Sequence, residues 1–439
     1  MAMVVKNNMP AKNALNQLDK NDKALAKSLK KVASGMKINS AADDASGFSI
    51  SEKMRVQINS LDQDYDNAQT GNSMLKVAEG GLQSSVDILR TLKEKVINAA
   101  NDSNTDEDRA TIQKELNQAV DQLDENAGVT YNGKTMLDGS KNNEVIAPGT
   151  RTTFVNENLD PSASSLTKLT DLKDSSGRSL EIKADSRIEI SYVQQGETKT
   201  ITLDPVANTR LINLVANSTP VENTTSLSAL QVFNPVGTDR TGSEVNTISG
   251  NDALIINAMD PGLDGQIAGL TFNVVEKDGT INKTANSVLN NFYEAIQAEE
   301  PSDDNALSFQ IGTKSNQTVK IGFSDMRSTA LGLRGDDGTT LSIGTREKAN
   351  AAISAVDLAL EKVLRQQTTI GAVRSRLDYT ASNITTASEN TQASESVIRD
   401  ANMAKEMTDY TKNNVITQAA QSMLAQANQN SSQVLQLLQ

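Results

Sequence analysis

Apolar residues near the beginning of the chain recur at helical spacing. Their steps of 3, 7, 4 and 3 place them on one side of a helix, and they are Leu15, Leu18, Leu25, Leu29 and Val32. Pro10 suits the first turn of that helix, and Ser34-Gly35 is typical of a glycine cap at its end. The pattern therefore predicts an amphipathic helix from Pro10 to Ser34.

A second stripe starts after Asp43-Asp44, whose carboxylates suit a helix N-terminus. It continues far beyond the average core helix of about 11–12 residues, through Ile50, Met54, Ile58, Leu61, Tyr65, Ala68, Leu75, Leu82, Val86, Leu89 and Val96. A break is expected at 101–104, and a third helix follows with Ile112, Leu116, Val120 and Leu123 on one face. Long helices are thus predicted for the whole N-terminal flank.

The C-terminal flank has the same character. One stripe begins after Gly344, extends to about Val397, and consists of Ile353, Val356, Leu360, Val363, Ile370, Val373, Leu377 and Ile384. A last stripe includes Ile416 and eight further positions, which are Met403, Met407, Tyr410, Ala420, Leu424, Ala427, Val434 and Leu438. Two more helices are predicted here.

The middle of the chain has a different pattern. Seven of the eight prolines lie between 148 and 301, and proline interrupts helices. Alternating residues at 187–203 and 307–321 predict two hairpins, 270–275 predicts a strand, and 287–299 predicts a short helix. The pattern indicates a β-rich insert between two helical flanks.

Composition narrows the possible chemistry. The chain has 439 residues, a net charge of −13, and no Cys, His or Trp. Thiol nucleophiles, His-based catalysis and zinc sites are therefore excluded, and we predict no catalytic residue, metal or cofactor. Carboxylate chemistry in the insert, as in glycosidases, stays open but has no Trp platform to support it.

Charge and hydropathy also bear on location. No apolar run reaches the 18 residues of a membrane span, and the N-terminus lacks the apolar region of a secretory signal peptide. The protein is expected to stay in the cytosol or to leave by another route. The first 40 residues carry a net charge of +6, but they lack Arg and aromatic residues, so we favour a solvated helix face over nucleic-acid binding.

The terminal stripes must be buried against something. We expect the two ends to pair with each other and to form contacts between subunits; a monomeric helix bundle is the alternative. The predicted assembly interface comprises Leu15, Leu18, Leu25, Leu29, Val32, Met403, Met407, Tyr410, Ala420, Leu424, Ala427, Val434 and Leu438.

Several motifs resemble one family. They include 38–47 (INSAADDASG), 132–137 (NGKTML), 370–373 (IGAV), 396–404 (SVIRDANMA) and 425–429 (AQANQ). In this order and at both ends, they are similar to the bacterial flagellins. The resemblance implies a mainly α fold with a β-rich insert and a coiled coil from the two termini. Its segments would be 1–42 (arm), 43–155 (rod), 156–303 (surface insert), 304–398 (rod) and 399–439 (arm).

The resemblance also implies a function and partners. The chain would polymerise head-to-tail into the hollow filament of the bacterial flagellum, outside the cell, for motility. It would be exported by the flagellar type III apparatus with a chaperone, and would meet the filament cap and the hook-junction proteins. Alternatives are a hook–filament junction protein and a filament subunit whose insert is an adhesin.

Flagellins of this type are sensed by a host Toll-like receptor. The matching region contains Arg90, Thr91, Glu94, Lys95 and Glu115. The Arg usual in the family falls at Thr91 and the usual Leu at Lys95, whereas the acidic partner matches Glu115. We expect receptor signalling to be weakened.

Overall fold

The computed structural model describes residues 8–214, 219, 220, 227 and 231–437, with the backbone alone described at 219, 220 and 430–437. Its helices are α1 (Met9–Ser34), α2 (Ala45–Ala99), α3 (Asp106–Ala127), α4 (Lys283–Leu289), α5 (Arg346–Arg399) and α6 (Met403–Leu437). Short 3-10 turns lie at Leu169–Asp171 and Leu211–Asn213.

Fourteen strands are found among the described residues. They are β1 (Thr130–Tyr131), β2 (Lys134–Thr135), β3 (Thr153–Asn156), β4 (Arg187–Gln194), β5 (Glu197–Leu203), β6 (Thr219–Pro220), β7 (Gln231–Phe233), β8 (Gly237–Thr238), β9 (Glu244–Val245), β10 (Ala253–Asn257), β11 (Ile267–Val275), β12 (Tyr293–Ile296), β13 (Leu307–Gln310) and β14 (Thr318–Ile321). Helical flanks and a β-rich middle, as predicted, are confirmed.

The chain forms two compact units. The first contains the described residues up to Ala68, Gln310–Gln317, and those from Tyr379 onward, and the second contains Gln69–Phe309 and Thr318–Asp378. Helices α2 and α5 each contribute residues to both units. The division into five successive segments stays a prediction.

Local signals set the ends of the first helices. Pro10 lies in the first turn of α1, where the Asn8 side chain accepts a hydrogen bond from the Ala11 N–H. Gly35 ends the helix with φ of 70°, and its N–H donates to the Lys31 carbonyl. That left-handed conformation favours glycine because it has no Cβ. Asp44 then accepts from the N–H groups of Ser46 and Gly47 at the start of α2.

The second unit buries its helical stripes. The shielded side chains come from α2, α3 and α5, and include Leu75, Leu82, Val86, Leu89, Val96, Leu116, Val120, Leu123, Val356, Val363, Ile370 and Leu377. Helix α3 starts with a reciprocal capping box, in which Thr105 and Asp108 each accept a hydrogen bond from the other's backbone N–H. The predicted break before α3 is therefore confirmed.

Two antiparallel four-stranded sheets form the insert. Their strand orders are β12-β3-β10-β7 and β11-β4-β5-β6. The predicted hairpin at 187–203 is the β4–β5 pair, in which Ile190 lies opposite Ile201. Pairs β1-β2, β8-β9 and β13-β14 form small separate sheets, and the last of these is the predicted hairpin at 307–321.

The predicted helix at 287–299 is wrong. Helix α4 ends at Leu289, and Tyr293–Ile296 is β12, which pairs with β3. Asn290 stops the helix because its side chain is engaged by β11: it accepts from the Phe272 N–H at 2.6 Å and donates to the Phe272 carbonyl at 2.8 Å. This long-range pairing is absent from the local pattern.

Candidate assembly surface

Helices α1 and α6 lie antiparallel within the first unit. At one end the Asn8 amide approaches the Ala427 carbonyl at 3.5 Å, and toward the other Lys31 pairs with Glu406 at 3.2 Å. Beyond the helices, Met36 forms an antiparallel bridge with Asp400. The two ends of the described chain are thereby joined along one seam.

The seam follows a coiled-coil spacing with small residues. Alternating steps of 3 and 4 connect the least exposed positions, as in paired helices. On α1 these are Ala11, Ala14, Leu18, Asn21, Leu25, Ser28 and Val32. On α6 they are Glu406, Tyr410, Asn413, Thr417, Ala420, Leu424 and Ala427.

Polar residues interrupt the seam near its middle. Asn413 donates to the Ser28 hydroxyl at 2.9 Å. The amide nitrogen of Asn21 and the hydroxyl of Thr417 are enclosed without a hydrogen-bond partner. Because an unmade hydrogen bond costs about 1–3 kcal/mol, the pair is held less tightly than an apolar coiled coil of the same length.

The structure separates the predicted assembly residues into two groups. The seam contains Leu18, Leu25, Val32, Tyr410, Ala420, Leu424 and Ala427. The exposed group contains Leu15, Leu29, Met403 and Met407. Leu438 and the Val434 side chain lie outside the described residues. The assembly role of these positions stays a prediction.

Further large apolar side chains lie on the outside of the pair. Leu15 is 54% exposed and Leu29 is 50% exposed, and Val415 and Met423 reach 59% and 66%. The single stripe predicted for α6 does not include Val415 or Met423. A second apolar face on α6 was the sequence signal that could have identified these two residues. Such a face in water favours association.

A tight connection fixes one end of the helix pair. The Lys37 N–H donates to the Arg399 carbonyl at 2.8 Å, and the Ala401 N–H donates to the Gly35 carbonyl at 2.9 Å. The Arg399 guanidinium lies 5.3 Å from the centre of the Phe48 ring, a cation–π arrangement. These contacts hold the end of α1 against the start of α6.

Asp43 adds an ionic contact at the same place. Its carboxylate pairs with Lys27 at 3.0 Å and accepts from the Asn39 N–H and the Ser40 hydroxyl. The Lys27 hydrogen bond is the main cause that lowers the pKa of Asp43 to about 2. The carboxylate is therefore charged at neutral pH and ties the loop before α2 to α1.

The receptor-like region lies in the second unit. Arg90 pairs with Asp87 at 3.3 Å, and the Thr91 hydroxyl donates to the Asp87 carbonyl. Lys95 pairs with Glu115 at 2.6 Å, whereas the Glu94 side chain is exposed. The structure thus brings Lys95 and the acidic position together within one chain.

Among the described residues, no three carboxylates are arranged to hold a metal ion. No described helix combines the length and apolar character needed to cross a membrane.

Two family models match the helical flanks. Residues 5–142 match the bacterial flagellin N-terminal helical region, and residues 353–438 match the bacterial flagellin C-terminal helical region. A flagellin from Clostridium tyrobutyricum is 33% identical, with 97% of this chain and 99% of that protein covered. A flagellin from Bacillus subtilis is 28% identical, with 99% and 100% covered.

Solved structures resemble the chain only weakly. FliC from Burkholderia pseudomallei has a TM-score of 0.26 at 18% identity, covering 70% of this chain and 99% of that one. A flagellar junction protein from Legionella pneumophila has a TM-score of 0.31 at 16% identity, covering 75% and 99%.

Proposed function

We infer, because this chain belongs to the bacterial flagellin family, that it is the structural subunit of an extracellular flagellar filament. Flagellins are structural proteins, and the inferred role is assembly rather than catalysis. The observation that carries the mechanism is the exposed apolar surface of the α1–α6 pair, to which Leu15, Leu29 and Met423 contribute.

An exposed apolar surface can drive the assembly of copies of the chain. A head-to-tail contact between two different surfaces generates an open helical filament when its rotation does not close a ring. Burial of the exposed apolar side chains stabilises each contact by about 25 cal/mol per Å² removed from water.

Matched substitutions on α1 test the assembly face. Leu15→Asp is expected to prevent growth from sheared filament seeds, because a charge replaces an apolar contact. Asn16→Asp adds the same charge at the next exposed position and is expected to leave growth normal. Negative-stain electron microscopy and sedimentation measure the outcome.

A seam variant separates assembly from monomer structure. Leu25→Asp places a charge inside the α1–α6 seam and is expected to lower the helix content of the monomer as well, seen by circular dichroism. Normal filaments from Leu15→Asp would contradict the proposed face. Short capped assemblies from the unmodified chain would favour a hook–filament junction protein instead.

We propose the export route and further partners from the family. The chain would pass unfolded through the flagellar type III apparatus, aided by a chaperone, and would be added beneath a filament cap. The lack of Cys is consistent with this route, because no disulfide can lock the chain before export.

We propose weakened sensing by a host Toll-like receptor. Thr91 and Lys95 replace the family's Arg and Leu, and another partner of Glu115 would compete with the Lys95–Glu115 ion pair. The double substitution Thr91→Arg with Lys95→Leu is expected to raise signalling in a reporter-cell assay. Full potency of the unmodified protein would refute this expectation.

A further inference from the structure

A buried carboxylate without a partner lies in the first unit. Asp64, on α2, is 4% exposed, and its Oδ2 atom is enclosed without a hydrogen bond. Among the described residues, no Lys or Arg nitrogen lies within ion-pair distance of it. Isolated buried charges are costly and are normally paired.

Asp64 borders a polar surface groove. Helix α2 forms one side with Asn59, Gln63 and Asn67, and the loop Gln310–Gln317 forms the other. The Asn67 amide donates to the Gln310 carbonyl at 3.1 Å, which fastens the loop to the helix. The groove is thus a built feature of the first unit, in which uncharged hydrogen-bonding groups and Lys314 line the surface beside one carboxylate.

The cation that the groove itself contains does not pair with Asp64. Lys314 lines the same groove, but its side chain is exposed and forms no ion pair with Asp64. Burial raises the pKa of the Asp64 carboxyl above its ordinary value. A cation delivered from outside would therefore remove a cost that the isolated chain carries.

We propose that this groove receives a Lys or Arg side chain from a second copy of the chain in the filament. The proposal rests on the proposed function, since only assembly brings a second copy to this surface. Charge complementarity favours this occupant: Lys53, Lys76 and Lys412 are exposed and form no ion pair within the described residues. Asp64 thereby becomes a specificity-determining contact, because an incorrectly placed neighbour leaves it unpaired.

The test compares Asp64→Asn with Asp66→Asn in the full chain. Both remove one negative charge from α2, and Asp66 is exposed. Asp64→Asn is expected to raise the critical concentration for seeded polymerisation about tenfold, the size expected for a lost charged hydrogen bond. Its monomer should melt at the same temperature or higher, because an unpaired buried charge is removed. Asp66→Asn should match the unmodified chain in both measurements.

A raised critical concentration together with an unchanged or higher melting temperature identifies Asp64 as a contact between subunits. A residue that merely supports the monomer would lower the melting temperature when replaced, and that outcome would overturn the proposal. An unchanged critical concentration for Asp64→Asn would overturn it as well. If the unmodified chain itself does not polymerise from seeds, the proposed function fails instead.

Discussion

Tyr293 shows how single polar contacts hold the insert together. Its hydroxyl donates to Glu157 Oε1 at 2.5 Å, and the same carboxylate accepts from the N–H groups of Ile248 and Ser249 at 2.7 and 2.9 Å. Three separate chain segments thus meet at one carboxylate. Burial, followed by the Glu157 contact, raises the pKa of Tyr293 to about 12.

The phenol is expected to stabilise the fold in a pH-dependent manner. An unfolded Tyr ionises near pH 10, whereas the folded group ionises near 12. The contribution is therefore complete below pH 10 and is lost as pH rises through 12. Tyr293→Phe should lower the free energy of unfolding by about 1–2 kcal/mol at pH 8.

The difference between the two proteins should shrink between pH 10 and 12. Urea unfolding at several pH values measures it, and the comparison cancels the titration of other residues. A constant difference across that range would contradict the assigned hydrogen bond.

Strand β11 closely approaches the backbone of helix α5. Its register against β4 shifts between Ala268 and Thr271, and Gly269 has φ of +66°. A Cβ at Gly269 would lie 2.5 Å from the Ala355 nitrogen and 2.7 Å from the Ala351 oxygen of α5. The small residues of α5 permit this contact, and only glycine fits the strand.

Gly269→Ala is expected to destabilise the second unit by about 3 kcal/mol or more, because left-handed strain and a backbone clash act together. Gly279→Ala is the control: its φ is +83°, but nothing lies within 4 Å of the added Cβ. That variant should lose only about 1–2 kcal/mol. Equal losses in urea unfolding would exclude the clash.

Local sequence patterns predicted the helices and strands that are determined by neighbouring residues. Pro10, Gly35 and the alternating residues of β4 and β5 carry their own signals, and those elements are confirmed. The bulge at Gly269 and the strand β12 depend on partners distant in the sequence, so periodicity could not reveal them. Long-range pairing overrode the helical pattern of 287–299.

The candidate assembly surface could be predicted only in part, because it also depends on a partner distant in the sequence. Hydrophobicity directs attention to Leu15 and Leu29, but the seam uses their smaller neighbours Ala14 and Ser28. Which face meets α6 depends on that partner, which lies almost a whole chain length away. Asp64 likewise looks like any solvated helix charge until the loop Gln310–Gln317 is placed beside it.

At the scale of the whole molecule, neither unit is a continuous piece of chain. The first unit combines three separate stretches and the second combines two. Segments defined by sequence position therefore do not coincide with the two units defined by contacts. Each helical flank therefore supplies residues that cover apolar side chains of the other flank.

The seam between α1 and α6 forms only when residues from opposite ends of a long chain meet. Asn8 and Ala427 are 419 positions apart, and closing a flexible loop of that size costs roughly 5 kcal/mol of chain entropy. We expect the seam to form after the second unit has folded and shortened the effective loop. A chain that stops before α6 leaves α1 without its partner. Because the seam needs both ends of the chain, we expect that a truncated subunit cannot form it and cannot enter a growing polymer.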